Sequence, residues 1–224
     1  MYSFALLTPK KIMPSIAIPN PSTDIQLGLW QITETLEELL ESLDLNLIDQ
    51  NHLQTITHPQ KQLEFLASRL LIKTLLSNQF IDYQGIIKNQ FNQPALFSLP
   101  HQVSLTHCKD YTATILHPSK AVGIDMELIR EQIRRIQSKF LSEKELAFAD
   151  NDLEKLTLLW TVKEALYKLY GQKKLTFKND MAVEVFEIQQ SGRVKAILFP
   201  QNTDYQIFNF AYQRIDDYFL AYSI

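Results

Sequence analysis

Two short stretches hold residues whose types and spacing could do chemistry. In AVGIDMEL, residues 121–128, Val122, Ile124, Met126 and Leu128 alternate with Asp125 and Glu127. On a strand, that period-2 pattern buries the first set and turns both carboxylates to the opposite face. Two like charges so placed repel unless something positive lies between them. The pair reads either as the polar side of a half-exposed strand or as a Mg²⁺ site, since hard divalent cations bind through one or two carboxylates plus substrate phosphates. In WTVKEALYK, residues 160–168, Glu164 and Lys168 stand at (i, i+4) on a helix. As a plain surface pair they contribute only about 0.3–0.5 kcal/mol. On a helical wheel Trp160, Thr161 and Lys168 fall on the Glu164 side, with Leu158, Val162, Leu166 and Leu169 opposite as the core face. A large aromatic on the polar side needs a second surface to cover it. Upstream, His107 in LTHC precedes a strand turn, Arg69 and Lys73 share a helix face, and Lys61 lies two turns earlier. Taken singly, these read as a structural histidine and solvated cations.

Other chemistries are excluded. The chain has five glycines and none makes GxGxxG or GxxxxGK[ST], so any phosphate must be held by cations or metal. Its five histidines form no HExxH pair, its single cysteine gives no zinc pattern, and no GxSxG elbow is present. A net charge of −3 predicts no general affinity for nucleic acid. One cysteine, Cys108, cannot form an internal disulfide and fits a reducing compartment. The N-terminus has a short apolar run with no basic segment before it, a poor signal peptide. No apolar run approaches the ~20 residues of a transmembrane helix, so the expected location is cytoplasmic.

Elements that must position these residues follow from periodicity. With 46% hydrophobic and 21% charged residues over 224 positions, the composition is globular and permits one domain or two compact lobes. The spacing predicts strands over 2–7 and 26–32, a helix over 34–43 on Leu36, Leu39, Leu40 and Leu43, and a longer helix from Pro59 to Ser77. Residues 89–100 read as a loop. Residues 101–116 and 121–128 read as paired strands about the turn-like HPSK. Ser142 with Glu145 forms a capping box that opens a helix. Another helix runs over 153–170 and stops at Gly171. Four strands follow, near 181–189, 194–199, 205–212 and 218–224, as an antiparallel meander. The expected fold is α+β in two lobes, residues 1–118 and 119–224, joined near 117–121, with helices packed on antiparallel-rich sheets.

In this order the residues resemble the 4′-phosphopantetheinyl transferase superfamily, specifically its larger, monomeric, pseudo-twofold class, the surfactin-synthetase-activating type. The resemblance rests on VGIDMEL at 122–128, FLSEKE at 140–145 and WTVKEALYK at 160–168, with QKQLEFLASR at 60–69 and VSLTHC at 103–108 similar to the family's N-terminal cofactor-binding elements. It implies two similar lobes related by a pseudo-twofold axis and a monomer. It implies Mg²⁺-dependent transfer of phosphopantetheine from coenzyme A to a serine of an acyl or peptidyl carrier protein in fatty acid, polyketide or nonribosomal peptide biosynthesis, releasing 3′,5′-ADP. Asp125, Glu127 and Glu164 would surround the metal, with Glu164 also a base for the serine hydroxyl. Lys168 and Lys163 would screen the phosphates, and His107, Arg69 and Lys61 would hold those of the nucleotide. The family's Gly-Lys-Pro loop is here NQP, which puts Gln93 where a lysine would contact phosphate, and Thr106 and Cys108 flank the histidine in place of serines. Two alternatives are a non-catalytic relative that binds coenzyme A or a carrier protein, and a Mg²⁺-dependent phosphohydrolase.

Overall fold

A computed structural model of the protein describes residues 15–16, 18–171, 175–200 and 204–224. The strand expected over 2–7 lies outside the described residues. In chain order come β1 (Ser15–Ile16), β2 (Gln26–Gln31), α1 (Leu36–Ser42), α2 (Leu47–Gln54), α3 (Pro59–Ser77), β3 (Ile86–Lys88), β4 (Pro94–Leu96), β5 (Gln102–His107), β6 (Tyr111–His117) and β7 (Ile124–Leu128). A 3₁₀ turn over Glu131–Arg135 leads to α4 (Gln137–Phe140), α5 (Glu143–Ala149), α6 (Leu153–Tyr170), β8 (Met181–Val183), β9 (Ser191–Leu198), β10 (Gln206–Ile215) and β11 (Tyr218–Ser223).

These elements make mixed helices and antiparallel sheets, an α+β fold. One sheet has the order β1-β2-β6-β5, the second β7-β11-β10-β9-β8, and β3 and β4 form a separate ribbon. The C-terminal meander β8 to β11 is as expected. The pairing of 101–116 with 121–128 is not. β5 and β6 pair with each other about Cys108–Asp110, while β7 crosses to the second sheet and pairs with β11. The segment 118–123 thus links two sheets rather than closing a hairpin. The residues read as a loop at 89–100 include β4, and α2 lies in a stretch too short and irregular to show periodicity; its sequence signal is Asn46, whose side chain caps Asp49 N–H. α1 is shorter than expected because Thr35 and Glu38 form a reciprocal capping box that fixes its start.

Three apolar clusters hold this arrangement. Leu66, Leu70, Ile72 and Leu76 of α3 pack with Leu39 and Trp30 on one face of the first sheet. Leu158, Val162 and Leu166 of α6 pack with Phe210 and Phe219 on one face of the second. Between the two sheets, Leu29, Ile115 and Tyr111 meet Ile124, Met126 and Leu220 in a shared core. The alternation in β7 is as read from sequence: Ile124 and Met126 enter that shared core, and Asp125 and Glu127 turn toward α6. Gly123 permits the approach, because a Cβ there would fall 2.1 Å from the Ala165 carbonyl oxygen. The missing side chain lets the backbone leading into β7 lie directly against α6.

Candidate active site

Asp125 is 5% exposed, and its two oxygens have different partners. Oδ1 accepts from Lys168 Nζ at 2.6 Å and from Thr106 Oγ1 at 3.0 Å. Oδ2 is buried with no partner. A buried carboxylate oxygen without a donor is costly and calls for a ligand. Lys168 also donates to the Leu105 carbonyl at 3.3 Å, so it bridges α6 to both β7 and β5. Its ammonium meets Asp125 rather than Glu164, and the simple (i, i+4) surface pair that the spacing offers is not how this helix uses it.

Two further carboxylates crowd the same place. Burial, and then the charge of Asp125, push the Glu164 carboxyl up to about 7, with Lys168 opposing and Glu127 adding to the rise. Burial followed by Asp125 likewise raises Glu127, against the pull of Trp160, Arg130 and Lys168. Glu127 Oε1 accepts from Trp160 Nε1 at 3.0 Å. The indole is covered by Phe140 and Phe177, with ring centroids 4.9 and 5.3 Å away. That is the second surface Trp160 requires, and it fixes Glu127 in place.

Hard oxygen donors, an unpartnered buried oxygen and mutually raised carboxyls are what a divalent cation relieves. Among the described residues, no three His, Cys, Asp or Glu side chains form a ready-made cage. Mg²⁺ does not require one, because it binds through one or two carboxylates and completes its shell with water and substrate phosphate. The donor set fits on that basis.

Lys163 requires a correction. It is 0% exposed, and Nζ donates to Glu145 Oε2 at 2.8 Å and to the carbonyls of Phe140, Phe177 and Met181 at 2.8–3.0 Å. With its donors so occupied inside the C-terminal core, it cannot screen a phosphate. The glutamate that holds it is the one from the FLSEKE capping box, so Glu145 closes a helix start and neutralises a buried lysine at once.

Lys61, Arg69 and His107 come together in a cavity of about 780 Å³, lined also by His52, Lys88 and apolar side chains such as Phe65 and Ile86. Arg69 lies over the Phe65 ring at 4.0 Å and pairs with buried Asp49 at 3.2 Å. Lys88, which sequence reasoning missed, enters because β3 turns it onto this cavity. Gln93 requires a second correction. It is not in the cation-lined wall; its Nε2 donates to the Lys168 carbonyl at 3.1 Å, at the C-terminus of α6. It lines a smaller cavity of about 250 Å³ with Leu105, Tyr167 and Lys168. The two cavities share Asn92, Pro94 and Leu105, and Lys168, the partner of Asp125, lines the smaller one. On β5, Leu105 and His107 face the large cavity while Thr106 faces Asp125. Thr106 is the missed residue of the acidic cluster; its signal is that it directly precedes His107, so strand alternation turns it to the opposite face.

A comparison with curated proteins finds no match. Residues 121–223, which hold Asp125, Glu127, Glu164 and Lys168, match the family model of the 4′-phosphopantetheinyl transferase superfamily.

Proposed function

We propose that the protein transfers 4′-phosphopantetheine from coenzyme A to a serine of an acyl or peptidyl carrier protein, releasing 3′,5′-ADP, as a cytoplasmic monomer. The observation that carries this reading is the unpartnered Oδ2 of Asp125, beside Lys168 and two raised carboxyls, one strand away from a cation-lined cavity. The cavity suits the nucleotide, with Lys61, Arg69 and His107 for its phosphates, and the acidic cluster suits the pyrophosphate. Asp125, Glu127 and Glu164 would hold Mg²⁺, which when bound screens the charge that builds on the leaving group. Lys168 adds a fixed positive charge on the same side. Glu164 would accept the proton of the serine hydroxyl as its oxygen bonds to the phosphorus next to pantetheine and the bond to 3′,5′-ADP breaks.

We also read residues 1–118 and 119–224 as two pseudo-twofold lobes. In support, Ile32 N–H bonds to the Asp110 carbonyl just past β2, and Ile129 N–H bonds to the Asp217 carbonyl just past β7, so in each half the strand that precedes the helices ends on an Asp-Tyr turn.

The deciding measurement is the mass of a panel of purified carrier proteins after incubation with coenzyme A and Mg²⁺. One phosphopantetheine is expected on the carrier serine, and none with Asp125→Asn, in which the amide oxygen still accepts from Thr106 and Lys168 and circular dichroism checks that the fold is kept. Unmodified carriers with coenzyme A bound would favour the non-catalytic relative. Coenzyme A consumed without any carrier would favour the phosphohydrolase.

A further inference from the structure

Glu64 is a buried carboxylate with a side chain only 3% exposed, and both of its cationic partners line the cation-rich cavity. It lies on α3, one turn after Lys61, and accepts from Lys61 Nζ at 2.6 Å. From across the cavity mouth, His107 on β5 brings Nε2 to 3.5 Å from the same carboxylate oxygen, Oε2. Lys61 and His107 both remain partly open, 59% and 40% exposed at the side chain, and both line the cavity. One buried oxygen thus gathers two exposed cationic side chains from different elements. With Nε2 turned to Glu64, Nδ1 is the ring nitrogen left for a ligand.

We propose that Glu64 is a positioning residue: it holds the His107 imidazole by Nε2 and the Lys61 ammonium at the cavity mouth, so that an entering phosphate meets His107 through Nδ1 and His107 takes up a proton as the phosphate binds. The proposal rests on the transferase reading for its ligand, coenzyme A, and on geometry alone for the Glu64–His107 pair. The proton uptake follows from the groups that face the ring. Burial holds His107 below its ordinary value; Glu64 raises it, while Lys61 and Arg69 on α3 and Lys168 on α6 lower it. The ring is therefore neutral at neutral pH before ligand arrives. An anion on the Nδ1 side adds a second favourable charge, and the doubly protonated ring then lies between two anions, as carboxylate–histidine pairing favours. Without Glu64, the same ring would have three lysine or arginine charges near it and no fixed counter-charge.

The test uses the full chain and has two arms. In the first, without ligand, the His107 ring is followed by NMR as a function of pH in the wild type, Glu64→Gln and Glu64→Asp. Loss of the carboxylate is expected to lower the His107 pKa by about one unit, the low end for an opposite charge at this range, with Glu64→Asp close to wild type. In the second, coenzyme A binding is measured calorimetrically in buffers of different ionisation enthalpy. Wild type is expected to take up a fraction of a proton at neutral pH. Glu64→Gln is expected to lose that uptake and bind roughly tenfold more weakly, the equivalent of one pKa unit. In turnover, the loss falls on KM for coenzyme A far more than on kcat, a split that mere unfolding would not give. Where Glu64→Gln does not fold, Glu64→Ser, which also removes the carboxylate, carries the same comparison, and His107→Gln alone must abolish the uptake. An unchanged His107 titration in Glu64→Gln overturns the positioning role whatever the protein does. A shifted His107 with no coenzyme A binding by the wild type upholds the pair and overturns both its proposed ligand and the transferase reading. Coenzyme A binding without proton uptake overturns the coupling alone.

Discussion

At the scale of single residues, Asp125 and Glu164 differ in what they ask of a cation. Asp125 already has Lys168 and Thr106 on one oxygen, so the unpartnered oxygen beside it is the vacant point of the cluster. Glu164 has no such donor and absorbs the crowding as a raised carboxyl, about 7 against 4.5 for an ordinary glutamate. Between those two values the folded chain binds more protons than the unfolded one, so this group's contribution makes stability fall as pH rises from about 4.5 to about 7, and it is level above that. Glu127, raised by the same neighbours, adds in the same direction. In metal-free buffer the wild type is therefore expected to lose melting temperature over this window, and Glu164→Gln to show a shallower fall. Added Mg²⁺ is expected to raise the wild-type melting temperature more at pH 8 than at pH 5. If Glu164→Gln follows the wild-type slope, the carboxyls do not share one electrostatic site. In turnover the same substitution is expected to cost roughly 10²–10⁴-fold, the usual worth of a general base.

At the scale of elements, the C-terminus of α6 lines the smaller cavity and is tied to the turn between β3 and β4. Gly171 ends the helix in the left-handed region at φ +74, and the space that a side chain would take there is filled by the Gln93 amide, 2.4 Å from the ideal Cβ position. Gln93 is itself held by Asn89, which accepts from Gln93 N–H at 3.0 Å and donates to Gln93 Oε1 at 3.2 Å. The turn between β3 and β4 is thus fastened to the helix that carries Glu164 and Lys168. Gln93→Met keeps the bulk and removes the donor, leaving the Lys168 carbonyl without it, and is expected to destabilise by about 1 kcal/mol in denaturant unfolding. A variant as stable as wild type would mean that water replaces the amide at no cost.

Much of this was legible from sequence where a period applied. Asp125 and Glu127 could be placed because strand alternation separates them from Ile124 and Met126, and α3 and α6 could be placed because Pro59 marks the start of one and Gly171 the end of the other. Lys163 misled because its role was carried over from the resemblance, whereas α6 is covered nearly all round and buries Lys163, and also Thr161 that the wheel put on the polar side, as well as its leucines. Gln93 misled because residue type at an aligned position does not give side-chain direction. The partner of β7 could not be read, since pairing with β11 joins residues almost 100 positions apart and leaves no local trace.

At the scale of the whole molecule, the two sheets are fastened by reciprocal contacts as well as by their shared core. Tyr111 of the first sheet donates to Asp216 beside the second, Tyr218 of the second donates to Asp110 beside the first at 2.5 Å, and the two rings meet edge to face at 5.4 Å. Such a joint holds the cavity and the acidic cluster in fixed relation, so the partner that must reach both is expected to dock on the outer surface near Glu127 and α6. The stretch IREQIRRIQSKF, residues 129–140, lies there, directly after β7, with its 3₁₀ turn packed on α6. Arg134 is already engaged, pairing with Glu131 and donating to the Asn151 carbonyl at 3.0 Å, whereas Arg130, Arg135 and Lys139 are exposed. On a chain of net charge −3, three free cations in one segment make a local positive field. Complementary charge of that kind steers encounter and sets association rate more than final affinity. Reversing Arg135 and Lys139 to glutamate is expected to raise KM for an acidic carrier protein several-fold at low salt and leave KM for coenzyme A unchanged. The effect is expected to fade near physiological salt, where the Debye length falls to ~8 Å. Carrier kinetics indifferent to the reversal at low ionic strength would place the docking surface elsewhere, because a rim of exposed charge within reach of the encounter cannot be reversed without changing how often the two acidic partners meet.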